Sequence, residues 1–152
     1  MKIQYPKGTH YTIGRPANVY GRFDNLNAEE PMVITSLIKK ALAQGEGLSV
    51  WGDGTQIRDF INARDVARAM ILIMEKNPSE PIDIGSGVGV TIREIADIIG
   101  SETQKQIIYD KTKPRGAENK VMRVEKLRAL GFCPKVIIRE GIKEIIKQWK
   151  EK

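Results

Sequence analysis

The sequence predicts an α/β fold, and three observations carry that reading. Residues 33–44 place Val33, Ile34, Leu37, Ile38, Ala41 and Leu42 at helical spacing. The last helical stretch sets Ile142, Ile145, Ile146 and Trp149 on one face. Between such helices lie short strand-like runs, "LSVW", "QIRDFI" and "QIIYD" among them. Helices alternating with short strands are the pattern of the α/β class. A chain of 152 residues suits one domain large enough to bury a core without disulfides or metals.

Taken in order, "YTIGRP" (11–16) reads as a short strand ended by its proline. The helix over 33–44 stops at Gly45, and "LSVW" and "QIRDFI" read as two strands around the turn "GDGT". Residues 64–76 form a helix that is apolar on nearly every side, which predicts burial among other elements, and Asn77-Pro78 ends it. "PIDIG" (81–85) is a brief strand followed by the bend "GSGVG". Thr91 then opens a helix, with Glu94 at the position that completes a capping box. "QIIYD" (106–110) is a strand, "KTKPRGAENK" a polar loop, and "RVEKLRALG" a short helix closed by Gly131. The sequence shows no repeat and no low-complexity linker.

Composition narrows the function. With 41% apolar and 29% charged residues, the chain reads as globular. The longest apolar stretch, "VARAMILIM" (66–74), is about half the roughly 20 residues a membrane span needs, and "MKIQYPKGTH" has no apolar core of a signal peptide. Cys133 is the one cysteine, which excludes a disulfide framework and fits a cytoplasmic location. His10 is the one histidine, so no multi-histidine metal site is expected. The net charge of +6 points to an anionic partner. The densest basic runs, "RVEKLR" and "KEIIKQWKEK", fall in helical patterns and read as solvated faces. Without aromatic residues interleaved among the basic ones, nucleic acid stays a minor alternative.

Three segments carry candidate chemistry. "DIGSGVGVT" follows a strand and precedes a helix, as a dinucleotide fingerprint does, but the third glycine of that motif falls at Val90. A tight strand-to-helix turn capped by Thr91 is the better reading. In "GRPANVYGR" (14–22), Asn18 sits where the chain leaves a strand, a place where ligands bind in open sheets and where turn residues are also common. In "QIRDFI", alternation puts Gln56, Arg58 and Phe60 on one face and Ile57, Asp59 and Ile61 on the other. Arg58 suits either surface charge or a bidentate grip on phosphate. Trp51 suits either core filling or a flat contact for a base or sugar. Residue chemistry alone leaves both pairs of readings open.

Together, "YTIGRPANVYGR", "VWGDGTQIRDFINARDVARAM", "PIDIGSGVGVTIREIADII" and "KPRGAENKVMRVEKLRALGFCPKVIIREGIKEIIKQW" resemble the C-terminal half of NAD(P)-dependent nucleotide-sugar epimerases and dehydratases, the extended short-chain dehydrogenases. "DNLNAEEPMVITSLIKK" and "YDKTKPRG" look closest to the GDP-fucose synthase-like epimerase/reductases. The resemblance implies an incomplete Rossmann-type sheet with a small substrate-binding subdomain. It also implies that residues 1–152 form a single substrate-binding domain from which the N-terminal dinucleotide-binding half is absent.

The resemblance further implies a nucleotide-diphosphate sugar as the partner and NAD or NADP as the cofactor of the complete enzyme, with none held tightly by this chain. Arg58 is implied to bind the diphosphate, Trp51 to lie by the base or sugar, and Lys40 to contact the substrate from the preceding helix. Arg115 falls in the loop that closes over the nucleotide, and where many relatives carry an aspartate near the ribose the nearest acid in this sequence is Glu118. Pro16, Ala17, Asn18 and Val19 match the stretch beside the nicotinamide ring, with Asn18 also placed toward the substrate phosphates. The family's catalytic Ser/Thr and Tyr-x-x-x-Lys belong upstream of "YPKGTHYTIGRP", and Tyr5 with Lys7 lacks that spacing, so no catalytic residue is assigned. Met32 stands where the GDP-fucose synthase branch carries an acid histidine, and a thioether cannot shuttle protons. The expected role is substrate binding without activity alone, as a homo-oligomer or together with a missing N-terminal half. A non-catalytic sugar-nucleotide-binding or interaction module, completed by a partner chain, is the alternative.

Overall fold

One strand divides the molecule into two apolar regions. The structure is a computed structural model that describes residues 11–25, 31–45, 47–113 and 116–151. Strand β4 (Ile57–Asn62) pairs in parallel with β2 (Asn18–Tyr20), antiparallel with β6 (Gly89–Thr91), and in parallel with β8 (Asn119–Lys120). Two further parallel pairs flank it: β1 (Gly14–Pro16) with β5 (Ile82–Ile84), and β3 (Gly47–Trp51) with β7 (Gln106–Asp110). Alternation along β4 sends Phe60 into one apolar cluster and Ile61 into the other.

The first cluster is closed by three helices. These are α1 (Val33–Leu42), α3 (Ile92–Thr103) and α5 (Ile138–Lys150), whose Ile34, Ile38, Ile95, Ile99, Ile142 and Ile145 are fully buried. The capping box at α3 is present as expected: the Glu94 amide donates to Thr91 Oγ1 at 3.1 Å, and the Thr91 amide donates to Glu94 Oε2 at 2.8 Å. The second cluster lies between β1, β5, α2 (Ala63–Lys76) and α4 (Glu125–Ala129). Asn62 caps α2 by accepting from the Arg64 amide at 3.0 Å, and Asn77 ends that helix in the left-handed conformation.

Two expectations need correction. The strand read over 11–16 is shorter at its start: β1 covers Gly14–Pro16 and ends at its proline as expected, and the chain re-enters pairing at Asn18 in another sheet. Proline is tolerated there because it ends a short strand, and the next amide, Ala17, donates to the Ile84 carbonyl at 2.8 Å. Asn18 thus lies just past the end of β1, as expected, and itself opens β2. Helix α2 is not buried on every side, since Ala69 and Ile73 are inside while Ile71 and Met74 are 57% and 68% exposed.

"LSVW" and "QIRDFI" are both strands, but they pair with different partners, and "GDGT" carries the chain between sheets. Gly54 must be glycine there: its φ is +75°, and a Cβ would lie 2.8 Å from the Tyr109 ring. The polar loop after β7 also ends in a short strand, β8, which the sequence did not announce.

Candidate functional site

Strands β3 and β7 end side by side, with Trp51 opposite Asp110. The carboxyl ends of parallel strands are the usual ligand side of an open α/β sheet. Trp51 is 54% exposed there. The Lys40 ammonium, from the last turn of α1, lies 5.2 Å from the indole centroid and donates to the Ser49 carbonyl at 3.2 Å. The Lys113 ammonium lies 6.0 Å from the same ring. Burial pushes the Lys40 pKa below the usual lysine value, and the nearby Asp110 carboxylate opposes that shift. Asp110 is itself held below the usual carboxylate range by the Thr112 hydroxyl and amide, with Lys113 and Lys40 adding to the effect. The result is an exposed aromatic ring with two cations over it, an arrangement suited to a group carrying negative charge.

Arg58 lies on β4 between β6 and β8, opposite Val90 on one side and Lys120 on the other. Its Nη1 donates to the Ile57 carbonyl at 2.8 Å, and Nη2 faces Gly116, where a Cβ would sit 3.6 Å away. The adjacent carboxylate of Asp59 is not its partner. Alternation turns Asp59 to the other face, where Ser86, Gly87 and Met122 hold it.

The remaining predicted residues divide between side-chain and backbone roles. Glu118 is exposed, and its carbonyl accepts from the Ile57 amide at 2.9 Å, so the segment runs alongside Arg58 while the carboxylate faces outward. Asn18 Nδ2 donates to the Asp59 carbonyl at 2.7 Å, tying β2 to β4. Ala17 and Val19 pack against the second cluster, and Pro16 stays exposed. Arg115, and with it His10, Tyr5 and Lys7, lies outside the described residues. The structure thus brings Lys40 to Trp51, and the backbone of Glu118 to Arg58. The segment 110–120 touches both places, through Lys113 at one end and β8 at the other. Lys113, Asp110 and Asp59 are the residues that sequence reasoning missed. Among the described residues, no group of three or more His, Cys, Asp or Glu side chains is placed to hold a metal, and no helix is long and apolar enough to cross a membrane.

A family model described as the NAD dependent epimerase/dehydratase family matches residues 2–85, a span that includes Lys40, Trp51, Arg58 and Asp59. The chain belongs to that family. GDP-L-fucose synthase 1 of Arabidopsis thaliana is 36% identical over 138 residues, covering 86% of this chain and 43% of the plant protein. Among solved structures, the UDP-glucose 4-epimerase of Thermotoga maritima with UDP-glucose superposes with a TM-score of 0.82 at 32% identity, covering 95% of this chain and 47% of the epimerase. A GDP-L-fucose synthetase from Naegleria fowleri bound to NADP gives a TM-score of 0.84 at 27% identity, covering 92% and 46%. The fold matches the C-terminal portion of extended short-chain dehydrogenases, as the sequence motifs implied. The chain spans about half the length of the curated relatives it matches.

Proposed function

We propose that this chain is the nucleotide-diphosphate-sugar-binding part of an NAD(P)-dependent sugar epimerase, dehydratase or reductase, a single substrate-binding domain that is inactive alone. The observation that carries the reading is the pair of cations, Lys40 and Lys113, over the exposed Trp51, at the carboxyl ends of β3 and β7. Trp51 offers a face to the base or sugar, while Arg58 supplies a fork that matches a diphosphate. The Thermotoga maritima relative was solved with UDP-glucose, which is consistent with this class of ligand. Holding the nucleotide end of a sugar nucleotide aligns the distant reacting carbon, so the contribution of these residues is binding and orientation.

The described residues do not fit a tightly held dinucleotide. The amides of Ser86 and Gly87, in the one glycine bend that resembles a phosphate cradle, already donate to Asp59. Ala17, Asn18 and Val19 have their polar groups engaged in strand pairing or their side chains turned into the second cluster. NAD or NADP would be gripped by the other half of the complete enzyme, with Pro16 to Val19 forming only its wall.

Calorimetry with GDP and UDP tests the reading. Binding should weaken as salt rises, and Arg58→Ala should weaken it about tenfold or more, because a hydrogen bond to a charged group contributes roughly 1.5–3 kcal/mol. Equal affinities for the parent and Arg58→Ala would remove Arg58 from the site. A second reading, a non-catalytic binding or interaction module completed by a partner chain, draws on the exposed apolar face of α2 around Ile71 and Met74. Turnover of nucleotide sugars with NAD(P)H by this chain would overturn both readings.

A further inference from the structure

The glycine bend after β5 already encloses an anion, the carboxylate of Asp59. Asp59 is fully buried and accepts from four donors: the Ser86 amide at 2.9 Å, the Ser86 hydroxyl at 2.6 Å, the Gly87 amide at 3.0 Å and the Met122 amide at 3.3 Å. Successive backbone amides that converge in this way form an anion-binding nest. Gly85 is obligatory beside it, because a Cβ there would come within 2.4 Å of Asp59 Oδ2.

The Met122 bond gives this carboxylate a reach beyond the bend. Residues 116–122 run alongside β4 as a strap: Gly116 lies against the Arg58 guanidinium, and the Glu118 carbonyl accepts from the Ile57 amide. Asn119 and Lys120 then pair with Ile57 and Arg58. The far end of the strap is tied down where the Met122 amide meets Asp59 Oδ2. The residue next to Arg58 in sequence therefore reaches, from the opposite face of the strand, the segment that borders the Arg58 guanidinium.

We infer that Asp59 is a positioning residue for the anion-binding arginine: by holding Met122 it sets the 116–122 strap alongside β4 and fixes the wall against which Arg58 presents its guanidinium. The inference rests on the reading that Arg58 takes a diphosphate. A merely structural Asp59 would stabilise the bend and leave ligand affinity untouched in a folded variant.

Hydrogen exchange and calorimetry on the whole chain separate the two roles. Asp59→Asn keeps the side-chain volume but turns an amide N–H toward donors, so peptides spanning 86–90 and 117–123 should exchange at least about tenfold faster while α3 and α5 are unchanged. GDP and UDP affinity should fall about tenfold in Asp59→Asn and should not fall further when the same change is made in Arg58→Ala. Met122→Pro removes only the strap's donor and should reproduce the loss of affinity if Asp59→Asn does not fold. Ser86→Ala, which leaves the Met122 bond, should loosen 86–90 alone and keep affinity within about twofold. Unchanged exchange at 117–123 in Asp59→Asn, or full affinity in a folded Asp59→Asn or Met122→Pro, would overturn the proposal while leaving the Arg58 reading intact. A parent chain that binds neither GDP nor UDP would overturn the Arg58 reading, and this proposal with it.

Discussion

Phe60 and Ile61 are neighbours on β4, yet the two regions they enter differ in how they close. On the Phe60 side, α1, α3 and α5 cover the sheet, and the isoleucines that face it are buried. On the Ile61 side, α2 buries a single stripe, Asp65, Ala69 and Ile73, and shows Ile71 and Met74 to solvent. Beside it, Tyr11 and Ile13 are also exposed, leading into β1. Parallel strands in globular proteins are usually covered on both faces. Helix α2 buries one stripe and leaves Ile71 and Met74 exposed next to a short parallel pair, and exposed apolar side chains of this kind are candidates for association. The first region buries its apolar side chains within the chain, while the second leaves part of its own exposed.

The largest effect should come from opening the closed region. Ile99→Ala or Ile145→Ala, both fully buried in the first cluster, should cost about 2–5 kcal/mol in urea unfolding. Ile71→Ala should change stability by less than about 0.5 kcal/mol. Comparable losses from the two positions would abolish the contrast, because Ile71 would then be buried in solution.

The legibility of the sequence follows the same division. Helix α3 could be read because a capping box is local, with Thr91 and Glu94 three residues apart. The inward faces of α1 and α5 could be read because their apolar residues keep helical period against neighbours in the same chain. The outer face of α2 could not, since periodicity reports which residues are apolar and says nothing of what covers them. The cradle of Asp59 was hidden for another reason. "GSGVG" announces a bend, but its occupant, Asp59, comes from 27 and 28 residues before Ser86 and Gly87, and Met122, the third wall, stands 63 residues beyond Asp59. Lys113 was equally hidden, because its place over Trp51 depends on β3 and β7 pairing in one register. Arg58 and Trp51 were candidates from residue chemistry, and only the family resemblance chose between their structural and binding readings.

Alkaline pH should probe the closed region next. Tyr20 is buried between β2 and α5, where Gly141 lets the helix approach its ring. Burial pushes its pKa up from 10.0 to about 12, with the bond to Asn62 opposing the shift. A raised pKa means the neutral phenol is favoured in the folded state. Its contribution is complete below pH 10 and is lost as pH rises from there toward 12. The loss should reach about 2–3 kcal/mol. The difference between the parent and Tyr20→Phe, measured by urea unfolding from pH 8 to 12, isolates this group from the lysines. A parallel pair of curves would mean that Tyr20 ionises freely and that the first region admits water.

A smaller change sharpens the same side. Thr91→Ala removes the hydroxyl half of the α3 capping box, leaving the amide of residue 91 to donate to Glu94, and should cost about 1 kcal/mol. The Thr91 hydroxyl and amide hold the Glu94 carboxyl below the ordinary value. The stabilisation from that pairing is present at neutral pH and is lost as pH falls through the depressed value, so Thr91→Ala should flatten part of the acid limb of the stability profile. An unchanged acid limb would show that the box is open in solution.

The smallest effect on folding, and the most informative about the second region, should come from Ile71→Lys combined with Met74→Glu. Both side chains are exposed, so the monomer loses little and its unfolding free energy should stay within about 0.5 kcal/mol. Association should respond differently. Open strand edges pair with other chains and exposed apolar faces seek cover, so the parent chain should self-associate, most simply as a two-fold dimer. Light scattering over a dilution series should then show a mass that falls toward 17.1 kDa on dilution, and a midpoint of thermal unfolding that rises with concentration. The double variant should be monomeric throughout, with exchange over 11–16 and 64–85 as fast as in the diluted parent. A parent that is monomeric at high micromolar concentration, with those segments well protected, would show that the second region closes by itself, and the contrast between the two sides of β4 would vanish.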